Sequence, residues 1–143
     1  DRFGYTVIGD TVNVAARLEG INKAYGTRII ASDELRAEAG DGFEWRSLDR
    51  VAVAGRAGGL PISELLGLDG EVDANRLTRR DRYEIALDAY FAGDFEAASG
   101  GFAELAAEHP DDKAAVAMAE RSAGLAEAPK PEDWDGVYVF RTK

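Results

Sequence analysis

The sequence predicts an α+β chain, with strands and short helices in its first half and helices alone in most of its second. Three observations carry this. Residues 1–67 hold short apolar or alternating runs, YTVI, RIIA, FEWRSLDRVAVAG and LPISELLG, each bounded by glycine or turn residues. From residue 79 the apolar positions recur at helical spacing and stop at Pro110, then resume after Asp111. Between the two lies LDGEVDANRLT, residues 68–78, which is polar and weakly patterned and reads as a linker. With 143 residues and 45% hydrophobic content, the chain can build one average domain or two small ones around a real core. The expected division is 1–67, the linker 68–78, a helical region 79–128 and an extended C-terminal segment 129–143.

Each element has a local cause. The chain opens on Asp1-Arg2-Phe3-Gly4 without Met and enters the strand-like YTVI almost at once, so the start reads as a cut. Helix formers run from Thr11 to Tyr25, Asp10 or Thr11 can cap them, and Gly26 stands where a helix ends in the left-handed conformation. RIIA is a short buried strand. Ser32 caps a second helix, SDELRAEA, which stops at Gly40. The two alternating runs that follow, around the bend at Gly55 to Gly59, predict an antiparallel strand pair.

In the helical half, Ile85, Ala86, Gly93, Phe95, Ala98, Phe102 and Pro110 follow a spacing similar to the roughly 34-residue tetratricopeptide repeat. Gly93 makes the turn, the alanines let the helices approach, the phenylalanines fill the seam and Pro110 ends the hairpin. Ala89 and Leu105 depart from that pattern in size. A third helix, 111–128, capped by Asp111 or Asp112, can cover the pair. A single repeat with its cap is shorter than a free-standing array, so it is expected to dock on something. The tail PKPEDWDGVYVFRTK is apolar enough to pack back on the body as a terminal strand or to serve as a docking peptide.

Composition narrows the function. The net charge is −10, with 8 basic and 10 acidic residues in 1–67 but 9 and 17 in 68–143. Such a surface repels phosphate backbones and anionic lipid, so nucleic-acid and membrane-surface binding are not expected. No apolar run approaches the roughly eighteen residues of a membrane span, and there is no cysteine, which fits a cytoplasmic setting. The single histidine, His109, reads as a helix-terminal residue, and Trp45 and Trp134 read as core or interface.

The chemistry concentrates in YTVIGDTVNVAARLE, residues 5–19. Asn13 and Arg17 are four apart on one helix, so their side chains share one patch. On spacing alone they read as a wet helix face, and it is the surrounding motif that reverses this. The longer stretch FGYTVIGDTVNVAARLEGINKAYGTRIIA, residues 3–31, resembles the C-terminal part of the catalytic domain of class III adenylate and guanylate cyclases, and the similarity continues through Gly67. The resemblance implies half of a ferredoxin-like sandwich that works as a head-to-tail homodimer. It implies Asn13 on the ribose, Arg17 on the α-phosphoryl group, Thr6 as the purine-selecting residue and therefore ATP as substrate. A fixed guanidinium fork suits that role, because it gains strength as charge builds on the phosphoryl oxygens.

Two departures accompany the resemblance. The family's triphosphate-binding lysine is replaced in VAGR by Ala54, with Arg56 two residues on as a candidate substitute. The family's two metal aspartates, which hold Mg²⁺ or Mn²⁺, belong to segments that would precede Asp1. Besides the enzyme reading, a non-catalytic regulatory module and a repeat-type adaptor using the helices on a protein partner are carried forward. Without a metal pair to activate the 3′-hydroxyl and neutralise pyrophosphate, the purified 143-residue protein is expected to form no cyclic AMP from ATP with Mg²⁺ or Mn²⁺; measurable product would overturn this.

Overall fold

The computed structural model describes residues 21–53 and 57–140. They form a mixed α/β structure around a four-stranded sheet. Residues 21–25 are helical, and Gly26 leaves that turn at φ +66° as expected. Then come β1 (Ile30–Ser32), α1 (Asp33–Ala39), β2 (Phe43–Val51), β3 (Leu60–Leu68), α2 (Ala74–Phe91), α3 (Phe95–Glu108), α4 (Lys113–Ala126) and β4 (Val137–Tyr138). Helix α2 thus begins inside the stretch that reads as a linker.

The local signals act where the sequence puts them. The Ser32 hydroxyl accepts from the Leu35 amide and Gly40 ends α1 at positive φ. Gly93, at φ +85°, turns the chain between α2 and α3. Asp94 and Asp112 cap α3 and α4 by accepting from the amides of Ala97 and Ala115.

The sheet order is β1-β3-β2-β4, with β1 and β2 antiparallel to β3 and β4 parallel to β2. The predicted strand pair is the β2–β3 hairpin. The tail returns to the body as β4, through Arg50↔Val137 and Val51↔Tyr138. Gly59 lies under that crossing, where a Cβ would stand 2.4 Å from the Arg50 side chain and 2.6 Å from that of Val137.

A register shift between Ser47 and Asp49 makes Leu48 an extra residue in β2. Arg46, Leu48, Asp49 and Val51 consequently all address the helical layer, which a regular strand could not do with neighbours 48 and 49. Two backbone groups at the bulge are taken up by α2: the Tyr83 hydroxyl donates 2.8 Å to the Leu48 carbonyl, and the Ser47 amide donates 2.8 Å to Glu84 Oε2. The opposite face carries α1, whose Arg36 donates to the hydroxyls of Ser47 and Ser63.

The core is continuous from sheet to helices. Leu48, Val51, Leu60 and Ile62 pack with Tyr83, Leu87, Tyr90, Phe102 and Met118 in one buried cluster, each large side chain contributing on the order of 1.5–3 kcal/mol. The apolar face of the sheet is covered by the chain's own helices, which answers the expectation that the helical unit docks on something. Trp134 locks the tail to this core, donating from Nε1 to the Tyr90 carbonyl at 2.9 Å and meeting the Phe95 ring edge-on at 4.9 Å.

Polar groups fasten the same interface. Asp49 on β2 pairs with Arg121 on α4 at 2.7 Å, and the Asp49 side chain is fully buried. Removing one partner of a buried pair leaves the other without compensation. Asp49→Ala is therefore expected to lower the unfolding free energy by about 3 kcal/mol, while Arg82→Gln, which breaks an exposed pair with Glu108, should leave the urea midpoint nearly unchanged. Equal effects of the two would show that the buried pair is not the fastening.

Candidate functional site

Of the residues the sequence singles out for chemistry, Thr6, Asn13, Arg17 and Arg56 all lie outside the described residues, as does Ala54. Their described neighbours are well fixed. Ile21 and Tyr25 are buried, and on either side of 54–56 the hairpin is held by the Val51↔Leu60 pair, with Val53 buried.

Two polar constellations stand within the described residues. In the first, β2 and α4 bring Asp49 and Arg121 together, and the Tyr25 hydroxyl donates to Asp49 Oδ2 at 2.6 Å. Arg121 also donates to the Tyr90 hydroxyl at 3.2 Å, and the Tyr138 ring covers its guanidinium at 3.5 Å. Burial, followed by the Asp49 charge, pushes the Tyr25 phenol far above its usual range. Burial likewise raises Tyr83 and Tyr90. Burial alone would lower Arg121, but Asp49 together with Tyr25 and Tyr90 outweighs it and the guanidinium is held more firmly charged. A phenol on a carboxylate resembles an acid–base pair. Here both are buried and roofed by aromatic rings, so substrate has no approach and the cluster joins sheet to helices.

The second constellation is an open cleft of about 110 Å³ between the β2–β3 hairpin and α2. Arg46 anchors its floor, bound to Glu64 at 2.8 Å and Asp112 at 2.9 Å, with its guanidinium 4.6 Å from the Tyr83 ring centroid. Burial disfavours the Arg46 charge, yet Asp112 and Glu64 more than compensate and raise its pKa. Arg76, Arg79 and Arg80 line the wall from α2. Arg80 is answered by Asp81 at 2.7 Å and Glu44 at 3.4 Å and donates to the Trp45 carbonyl. Among the described residues Arg76 donates only to the Leu66 carbonyl, at 3.3 Å. The run NRLTRRDR, residues 75–82, was the available signal for this cleft in an otherwise acidic half.

Among the described residues, no group of three or more His, Asp or Glu side chains could hold a metal ion. The described residues do not fit the divalent cation that the cyclase resemblance implies. No described helix is long and apolar enough to cross a membrane.

The chain is 46% identical over 68 residues, 48% of its length, to Adenylate cyclase 1 of Rhizobium meliloti (strain 1021). Part of this chain is related to adenylate cyclases. It is 37% identical over 67 residues, 45% of its length, to an adenylate cyclase of Anabaena cylindrica. It is 29% identical over 127 residues to the terminal-differentiation specific adenylate cyclase of Dictyostelium discoideum, an alignment over 85% of the chain that cannot be confined to either half. The chain spans only 10%, 13% and 6% of these three relatives, in the order given. No family model matches the chain, and no solved structure matches it significantly.

The buried phenols make a pH prediction. Tyr25 and Tyr83 have folded-state pKa values above the unfolded value of about 10, so their contribution is complete below about pH 10 and is lost as pH rises beyond it. Each should steepen the fall by up to about 1.4 kcal/mol per pH unit. Urea midpoints followed from pH 9 to 11 should show a shallower fall in Tyr25→Phe than in the wild type; identical slopes would remove Tyr25 from this account.

Proposed function

We propose that this chain is the C-terminal portion of an adenylate cyclase that converts ATP to cyclic AMP and pyrophosphate in intracellular signalling. The observation that carries the reading is the 46% identity over 68 residues to a protein named as an adenylate cyclase, together with the motif residues in 3–31. In this reading Thr6 selects adenine, Asn13 orients the ribose and Arg17 meets the α-phosphoryl group as its charge grows. Arg56 reaches the triphosphate in place of a lysine at 54. Mg²⁺ or Mn²⁺ is supplied by residues of the parent protein outside this chain, and the active site is completed by a second cyclase domain across a dimer interface in the cytoplasm.

The fold is consistent with the reading. The β1–α1–β2–β3 unit is proposed as part of a ferredoxin-like cyclase sandwich, and α2–α3 with α4 as a tetratricopeptide-like hairpin and its cap. The tight approach of Gly101 to Ala86, where an added Cβ would meet the alanine methyl at 3.0 Å, supports close hairpin packing. A non-catalytic regulatory module remains the second reading, favoured by Ala54 at the lysine position. The free-standing adaptor reading has less support, because the buried faces of Tyr83, Leu87 and Tyr90 are part of the sheet's own core.

In the parent protein, Arg17→Ala is expected to lower kcat for cyclic AMP formation by about 100-fold or more, the scale of losing one charge-stabilising donor, with a smaller change in KM for ATP. A variant that keeps its circular dichroism spectrum and its full turnover would overturn the enzymatic role of Arg17.

A further inference from the structure

We propose that the cleft between the β2–β3 hairpin and α2 binds the phosphate group of a small ligand, through the guanidinium groups of Arg76 and Arg79. The proposal is independent of the cyclase reading. It starts from the partners that each guanidinium touches. Of the cleft's four arginines, Arg46 is matched by Glu64 and Asp112, and Arg80 by Asp81 and Glu44. Among the described residues Arg76 has a single carbonyl partner, and Arg79 has no hydrogen-bond or ion-pair partner. The chain has 27 acidic side chains against 17 basic ones, so two neighbouring guanidiniums without a carboxylate are the reverse of what composition favours.

Geometry gives the ligand class. Arg76 and Arg79 are three residues apart on α2 and therefore lie on one helix face, and both border the same cleft. The Arg76–Leu66 bond steadies one fork from the hairpin side while leaving its other N–H donors free. A space of about 110 Å³ is several times the roughly 10–15 Å³ that admits one water on the same measure, enough for one phosphate group whose ester end leaves by the open mouth. Two planar forks offer more donors and charge than a single carboxylate can use, whereas phosphate has three terminal oxygens and up to two negative charges. Glu64 and Asp112 are held by Arg46, which tempers their repulsion of an anion.

The test uses the 143-residue protein at low ionic strength, titrated calorimetrically with inorganic phosphate, glycerol phosphate and acetate. Saturable binding of both phosphates, and far weaker binding of acetate, is expected; tighter binding of glycerol phosphate would mark a phosphomonoester as the source, and equal binding would mark free phosphate. Arg79→Gln should weaken phosphate binding about tenfold or more, and Arg76→Lys, which keeps the charge but loses the fork, by a smaller factor. Arg82→Gln, on the same helix but outside the cleft lining, should bind as the wild type does. Because Arg79 has no partner, its variant should keep the wild-type melting temperature without phosphate. Absence of saturation, or equal weakening by Arg79→Gln and Arg82→Gln, would overturn the proposal.

Discussion

The bulge at Leu48 is the constraint on which the rest of the arrangement depends. One additional residue in β2 lets Leu48 and Asp49 both face the helices, so a single strand offers an apolar side chain and a buried carboxylate to the same layer. A bulge also disturbs the ladder and leaves backbone groups to be satisfied elsewhere. Tyr83 and Glu84, adjacent on α2, serve the Leu48 carbonyl and the Ser47 amide. Helix α2 thus recognises an irregularity in the strand, and its position is set by hydrogen bonds as well as by packing.

With α2 fixed, the remaining charges fall into a graded series. Asp49 and Arg121 are deep and aromatic-roofed; Arg46, Glu64 and Asp112 are nearly buried at the base of a cleft; Arg76 and Arg79 are partly exposed at its wall. In the first two groups every charge has an opposite partner in contact, where water is scarce and an unpartnered charge would be most costly. The unmatched charges sit where solvent, or a ligand, can reach them.

Much of this fold was legible because its signals are local. Ser32 and Gly40 delimit α1, Gly26 and Gly93 break helices at positive φ, and Asp112 caps α4; each works within a few residues of itself. The strand pair was legible from alternation and turn residues. The bulge was not, since strict alternation along FEWRSLDRV would send Leu48 and Asp49 to opposite faces, and only pairing with β3 shows otherwise. The pairs Arg46–Asp112 and Arg121–Asp49 join residues 66 and 72 apart, and no local pattern encodes a partner at that distance. Chemistry divides in the same way. The cyclase-like motif is written in consecutive residues and was readable at once, although Thr6, Asn13, Arg17 and Arg56 lie outside the described residues. The arginine-rich run at 75–82 was visible as composition, but that two of its members lack carboxylate partners among the described residues is a fact of three dimensions.

The parallel pairing of β4 with β2 has a consequence for the order of assembly. Arg50 reaches the Asp135 carbonyl across 85 residues of chain, and Ala52 donates to the Tyr138 carbonyl beside it. Closing so long a loop is entropically unfavourable until the intervening helices have already shortened the path. The final strand is therefore a late arrival. When Tyr138 settles over Arg121, the end of the chain becomes a lid on the partner of the buried Asp49 carboxylate.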